Sequence, residues 1–293
     1  MSSSFEHRAV RLEAGEFPVW IGGSGPPVLL LHGYPQTHAM WRDVAPRLAE
    51  RHTVVLADLR GYGAAPKPPG DPEHRTYAKR TMAADMAALM EELGFPRFAV
   101  VGHDRGGRVA HRLALDRPER VEKLAVLDIV PTRTVFAATD RELALGYFHW
   151  FFLAQPAPLP ERMIGADPDF WLETLLARWS GTRDLAPFAG PALESYRAAF
   201  RDPATIHATC EDYRAAATID LEHDAADADR RIACPLLVLW GAQGLMHRLF
   251  DVLATWREKA AGPVFGRALP CGHFLPEEAP EATASALADF LAS

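Results

Sequence analysis

Cysteine is scarce in this chain: Cys210, Cys234 and Cys271 are the three in 293 residues. They lie far apart and show no metal-ligand spacing, so neither a disulfide framework nor a metal centre is indicated. Free thiols in a reducing, cytoplasmic setting are expected. The N-terminal MSSSFEHRAV lacks a hydrophobic leader core, and no later run reaches the length of a membrane span, so no membrane partner is expected. Excess positive charge is missing as well. A net charge of −7 argues against nucleic acid and anionic lipid as partners, while leaving room for a local basic pocket that holds a small anion.

What is present suits a large folded core: 48% hydrophobic and 24% charged residues. FEHRAVRL and EFPVWIGG read as a hairpin of antiparallel strands. Short apolar runs follow at 26–33, 52–61, 97–104 and 122–131, separated by helical spacing at 40–50, 75–93 and 105–117. Continuous apolar runs are the mark of strands buried on both faces, and their alternation with helices predicts an α/β fold with a doubly wound, mostly parallel sheet. The rhythm stops after Pro131. Residues 132–225 contain no strand pattern but are rich in aromatics, alanine and amphipathic spacing. Strand and helix alternate again at 234–241 and 263–274, with a last helix at about 277–292. The expected organisation is a core of residues 1–131 and 226–293 carrying an inserted helical cap, 132–225. No internal repeat or low-complexity stretch is evident.

At the end of the third run, Gly102-His103-Asp104-Arg105-Gly106 has the pattern of a strand-to-helix elbow that presents a nucleophile, with aspartate in the central slot. No Gly-x-Ser-x-Gly occurs at that strand, which removes a serine esterase from consideration. An aspartate here could instead merely cap the helix. Partners elsewhere favour the nucleophile. His32-Gly33-Tyr34-Pro35 ends its strand in the loop that supplies one oxyanion-hole N–H, so the donors would be the backbones of Tyr34 and Arg105. His273, after the last strand, stands where the base is expected. The loop after LLVLWG reads Ala242-Gln243-Gly244 and offers no carboxylate, and Asp251 falls inside the next helical stretch. Asp128, ending AVLDIVPT at the C-terminal edge of the sheet, is therefore the expected acid. Arg105 and Arg108 share a face of the first helical turn, where positive charge is unfavourable and calls for an anion. That anion could be Asp104, a cap carboxylate or a substrate carboxylate held by guanidinium forks.

With these residues the sequence resembles the α/β-hydrolase superfamily, in the branch of dehalogenases and epoxide hydrolases, and is most similar to fluoroacetate (haloacetate) dehalogenases over core and cap alike. The resemblance implies that Arg105 and Arg108 bind the substrate carboxylate and that His149, Trp150 and Tyr213 bind the departing halide. It implies a small anionic haloacid substrate, no cofactor or metal, and a homodimer. Tyr34 departs from the phenylalanine common at its position. The strongest rival is an epoxide hydrolase with the same Asp104, His273 and Asp128 set, in which His149 and Tyr213 act as ring-opening acids. The arginine pair speaks against it, because a neutral epoxide does not need them. A non-catalytic receptor on the same fold is a third reading, disfavoured by the full set of three.

Overall fold

The computed structural model describes residues 5–293; Met1–Ser4, part of the N-terminal stretch read above, lie outside it. Its strands are β1 (Glu6–Leu12), β2 (Gly15–Gly22), β3 (Pro27–Leu31), β4 (Thr53–Ala57), β5 (Phe98–His103), β6 (Val121–Leu127), β7 (Leu236–Gly241) and β8 (Val264–Leu269). They form one sheet in the order β1-β2-β4-β3-β5-β6-β7-β8. The β1–β2 and β2–β4 pairs are antiparallel and every other neighbouring pair is parallel. This is the expected α/β arrangement, with an N-terminal hairpin on an otherwise parallel sheet.

Each residue of β5 is buried, as are the last four of β3, because helices cover both faces. Each fully buried valine or leucine of these strands contributes roughly 1.5–3 kcal/mol over its exposed state. The helix at Asp104–Asp116 packs on β5 and β6 and against the helix at Lys79–Glu92. From β3 the chain runs to β4 on one side and then crosses to β5 on the other. The crevice at the carboxyl ends of β3 and β5 is thus a topological switch point, where open α/β sheets place their ligands.

Prolines subdivide two of the expected helices. The 40–50 stretch becomes a 3-10 turn, His38–Trp41, and a single α turn, Ala45–Leu48, with Pro46 in its first turn. The last helix breaks at Pro280 into Leu275–Glu278 and Pro280–Ala292, since proline has no N–H to continue the ladder.

Between β6 and β7 the described chain is helical, from Thr132–Ala137 to Ile219–Ala226. Local sequence explains several starts. Asp167-Pro168 and Asp202-Pro203 combine an N-cap carboxylate with proline at the first helical position, and the caps accept the N–H of Phe170 at 3.0 Å and of Ala204 at 2.9 Å. Among the described residues, no helix is long and apolar enough to cross a membrane. Cys210 and Cys271 are buried and Cys234 is half-buried, all as free thiols.

Candidate active site

Asp104 is the first residue of its helix and has φ +46°, in the left-handed region. Aspartate tolerates this better than most residues, yet the conformation costs about 1–3 kcal/mol and persists because its surroundings impose it. A Cβ on Gly102 would lie 2.3 Å from the Gly106 carbonyl oxygen, and one on Gly106 would lie 2.4 Å from that of His32. The strand end, helix start and β3 loop therefore approach more closely than any side chain permits. The carboxylate does not cap the helix. Its Oδ1 instead accepts the Tyr34 N–H at 3.0 Å.

His273 lies in the loop after β8, and its Nδ1 is 2.6 Å from Asp128 Oδ2. Asp128 follows β6 directly and is also left-handed, φ +53°. Its Oδ1 accepts the Gly241 N–H at 2.9 Å, so the end of β7 contributes a backbone donor rather than the acid. Asp251 sits at the N-cap of the Val252–Arg257 helix, accepting Ala254 N–H at 3.0 Å, and is occupied there. His103, which the sequence reading passed over, lies beside the pair. Its Nε2 donates to the His273 carbonyl at 2.8 Å, and the two rings are 4.6 Å apart.

Burial would raise the Asp104 carboxyl, but the His273 imidazole with the Arg105 and Arg108 guanidiniums outweighs it and holds the group at about 2. Burial likewise opposes a charged His273, but the hydrogen bond and charge of Asp128, together with the Asp104 charge, raise the imidazole above its ordinary value. Arg108 is lowered to about 10 by burial and by its neighbour Arg105, so it stays a cation at neutral pH.

The helical segment between β6 and β7 closes over this edge and brings His149, Trp150 and Tyr213 to it. Tyr213 and His149 have ring centroids 5.4 Å apart, Trp150 is 6.1 Å from Tyr213, and the Arg108 guanidinium sits 4.6 Å from the Trp150 ring centre. Five buried nitrogens and oxygens in this cluster have no hydrogen-bond partner in the protein: Arg105 Nη1, Arg108 Nε, His149 Nδ1, Trp150 Nε1 and the Tyr213 hydroxyl. Leaving a buried polar group unpaired costs about 1–3 kcal/mol. Several such polar atoms gathered in the cluster that holds an ionised carboxylate suit an anion with several acceptor positions. Burial keeps the Tyr213 phenol well above its ordinary pKa and His149 well below its own, so both are neutral near pH 7.

The two arginines differ. Arg108 donates Nη1 to the Val130 carbonyl and Thr132 Oγ1, both at 3.0 Å. Arg105 gives its fork to Asp212 of the Pro203–Ala217 helix, with Nε to Oδ2 at 2.8 Å and Nη2 to Oδ1 at 2.7 Å. The anion demanded by charge at the helix start is therefore present in the chain, and Arg105 keeps one nitrogen, Nη1, for anything else. The hydroxyl that distinguishes Tyr34 accepts Trp171 Nε1–H at 2.7 Å, tying the loop after β3 to the Pro168–Trp179 helix. A cleft of about 140 Å³ reaches His273 from outside between Tyr147, Trp179, Arg178, Arg183 and Arg248.

The chain has counterparts among known proteins. The chain matches the α/β hydrolase fold family over residues 26–280. It is 50% identical over 291 residues to a fluoroacetate dehalogenase from Burkholderia sp, covering 99% of this chain and 95% of that one. Against a soluble epoxide hydrolase from Corynebacterium sp. (strain C12) the identity is 33% over 284 residues, 96% of this chain and 95% of the other. A crystal structure assigned to the α/β hydrolases, from Nostoc sp PCC 7120, superposes with a TM-score of 0.97 at 55% identity and covers 99% of both chains. The chain belongs to the α/β-hydrolase family, in its haloacetate dehalogenase branch.

Proposed function

We propose that this protein hydrolyses 2-haloacetates to glycolate and halide through an ester on Asp104. The observation that carries the reading is the set of unpartnered buried polar atoms on Arg105, Arg108, His149, Trp150 and Tyr213 beside one ionised carboxylate. The Tyr34 N–H holds Oδ1, so Oδ2 is the attacking oxygen. It displaces the halide from C2 of the substrate, whose carboxylate is received by Arg108 and Arg105 Nη1. His149, Trp150 and Tyr213 donate to the halide as it gathers charge. Water then attacks the ester carbonyl carbon while His273 takes a proton from it. The tetrahedral oxyanion forms at Oδ1, already bonded to Tyr34 N–H, with the Arg105 N–H as the second donor; as second residue of the helix it has no acceptor within it. Collapse expels glycolate, protonated by the imidazolium. The carboxyl left on Asp104 ionises, so water has become a glycolate hydroxyl proton, a released proton and a new carboxylate oxygen.

The arginines support this reading over epoxide opening. A neutral epoxide has no carboxylate for Arg108 and Arg105 Nη1 to receive, and those buried nitrogens would stay unpaired. The reading includes residues 132–225 as a cap over the site. It also includes a reducing cytoplasm, supported by the free cysteines, and a homodimer, suggested by the resemblance alone.

The test is halide release from fluoroacetate and chloroacetate beside hydrolysis of a styrene-type epoxide. Turnover of the haloacetates is expected; turnover of the epoxide alone would overturn the proposal.

A pH dependence follows from the charge on Asp104. That charge helps raise the imidazole in the free enzyme and disappears on esterification, so the His273 pKa falls in the ester. The base must be neutral, and hydrolysis slows as pH drops through the pKa of the esterified enzyme. In single turnovers the midpoint for ester breakdown should lie below the imidazole midpoint that NMR gives for the free enzyme. An equal or higher midpoint contradicts the assignment.

A further inference from the structure

The Arg105 guanidinium is fully buried and lies 4.2 Å from the Tyr213 ring centre. Three of its hydrogen bonds end on one residue: the two to the Asp212 carboxylate and a third, from Nη2, to the Asp212 carbonyl at 2.9 Å. Asp212 also accepts the Tyr62 hydroxyl at 2.6 Å and the Lys79 ammonium. Lys79 in turn lies 3.5 Å from Asp220, which accepts the Lys79 N–H at 2.8 Å. Two cations and two carboxylates are thus buried together, and their charges cancel.

Resting on the proposed function, we infer that Asp212 is a positioning residue that keeps the Arg105 fork off the nucleophile. Arg105 directly follows Asp104, and apart from Asp212 that carboxylate is the anion next to it. Paired guanidinium and carboxylate make the strongest hydrogen-bonded ion pair available to side chains. A carboxylate gripped by such a fork attacks carbon poorly, because its lone pairs and charge are already engaged. Asp212 takes the fork and leaves Arg105 a single contact through Nη1. It also anchors the Pro203–Ala217 helix, which carries Tyr213, the next residue, to the site. The division of labour is then one nitrogen from Arg105 and the remaining carboxylate contacts from Arg108.

The experiment measures kcat for chloroacetate and the Kd of acetate, an unreactive carboxylate, in Asp212→Asn. With the fork released, kcat should fall roughly a hundredfold, as for a misplaced catalytic group. Acetate should bind about as tightly as in wild type, because the released fork turns to Asp104 rather than to the ligand. Tyr62→Phe removes a donor to Asp212 but no charge; it should lower Tm and leave both numbers near wild type. If Asp212→Asn does not fold, Asp212→Asn with Lys79→Met, which restores charge balance, should show the same split. Weaker acetate binding alongside lower kcat, an equal loss in Tyr62→Phe, or failure of both Asp212 variants to fold would overturn the inference in favour of a structural role. If wild type itself releases no halide, the proposed function fails instead, which separates the two.

Discussion

A His273→Asn protein should release about one halide per active site from chloroacetate and then stop. Esterification needs only the ionised carboxylate; the variant loses the lowering effect of His273 but keeps those of Arg105 and Arg108, so displacement proceeds without the imidazole. Hydrolysis does need it. The ring is fixed by Asp128 at 2.6 Å, Asp128 is fixed by Gly241, and no other group in the described site is placed to take a proton from water. His103 stands nearby, but burial pushes its pKa down, and its Nε2–H is committed to the backbone carbonyl of residue 273. Steady turnover should fall on the order of 10⁴–10⁶-fold, the range found when one member of a catalytic set is removed. Intact-mass analysis should then show the acid-bearing adduct on Asp104. An unmodified protein with verified acetate binding would contradict the ester route.

The second large effect is at Arg108. Changing it to lysine keeps a charge but loses the planar fork and the ties to Val130 and Thr132. A severed charged pair in a buried setting costs about 2–5 kcal/mol. That corresponds to a fall in kcat/KM for haloacetates of roughly 30- to 5,000-fold. Because Asp212 occupies most of Arg105, the loss cannot be made good by the neighbouring arginine. Unchanged kinetics with a lowered Tm would make Arg108 a structural brace between the elbow helix and the chain after β6.

The strands were legible because a parallel sheet covered on both faces leaves little but valine, leucine and alanine in its interior strands. Residues 98–103, all buried, are the clearest case. Asp104, Asp128 and His273 were legible for a related reason: each ends or follows a recognisable strand at the edge where this topology gathers its chemistry. The helical stretch after Pro131 showed as a lapse in that rhythm, though prolines at 46 and 280 divided helices that periodicity ran together.

Asp212 was not legible. In CEDYRAAA it lies between Glu211 and Arg214, and charged residues at helical spacing ordinarily form a solvated face. Here the helix is buried nearly all round, a property of what packs on it rather than of its own sequence. The same holds for Arg105, whose sequence neighbours promised two forks for the substrate while the fold assigns one of them to Asp212. The Tyr34 hydroxyl is similar: its partner Trp171 lies 137 residues away, and nothing local announces the pair.

The fate of one oxygen atom separates the ester route from direct hydrolysis. In a single turnover of excess enzyme with fluoroacetate or chloroacetate in ¹⁸O-water, hydrolysis of an Asp104 ester puts the heavy oxygen into the Asp104 carboxylate and leaves the first glycolate hydroxyl unlabelled. Peptide mass analysis of the Asp104 segment reads this directly. Label in the first glycolate with none in Asp104 would mean that water attacks the substrate carbon itself, and the ester would have to be abandoned.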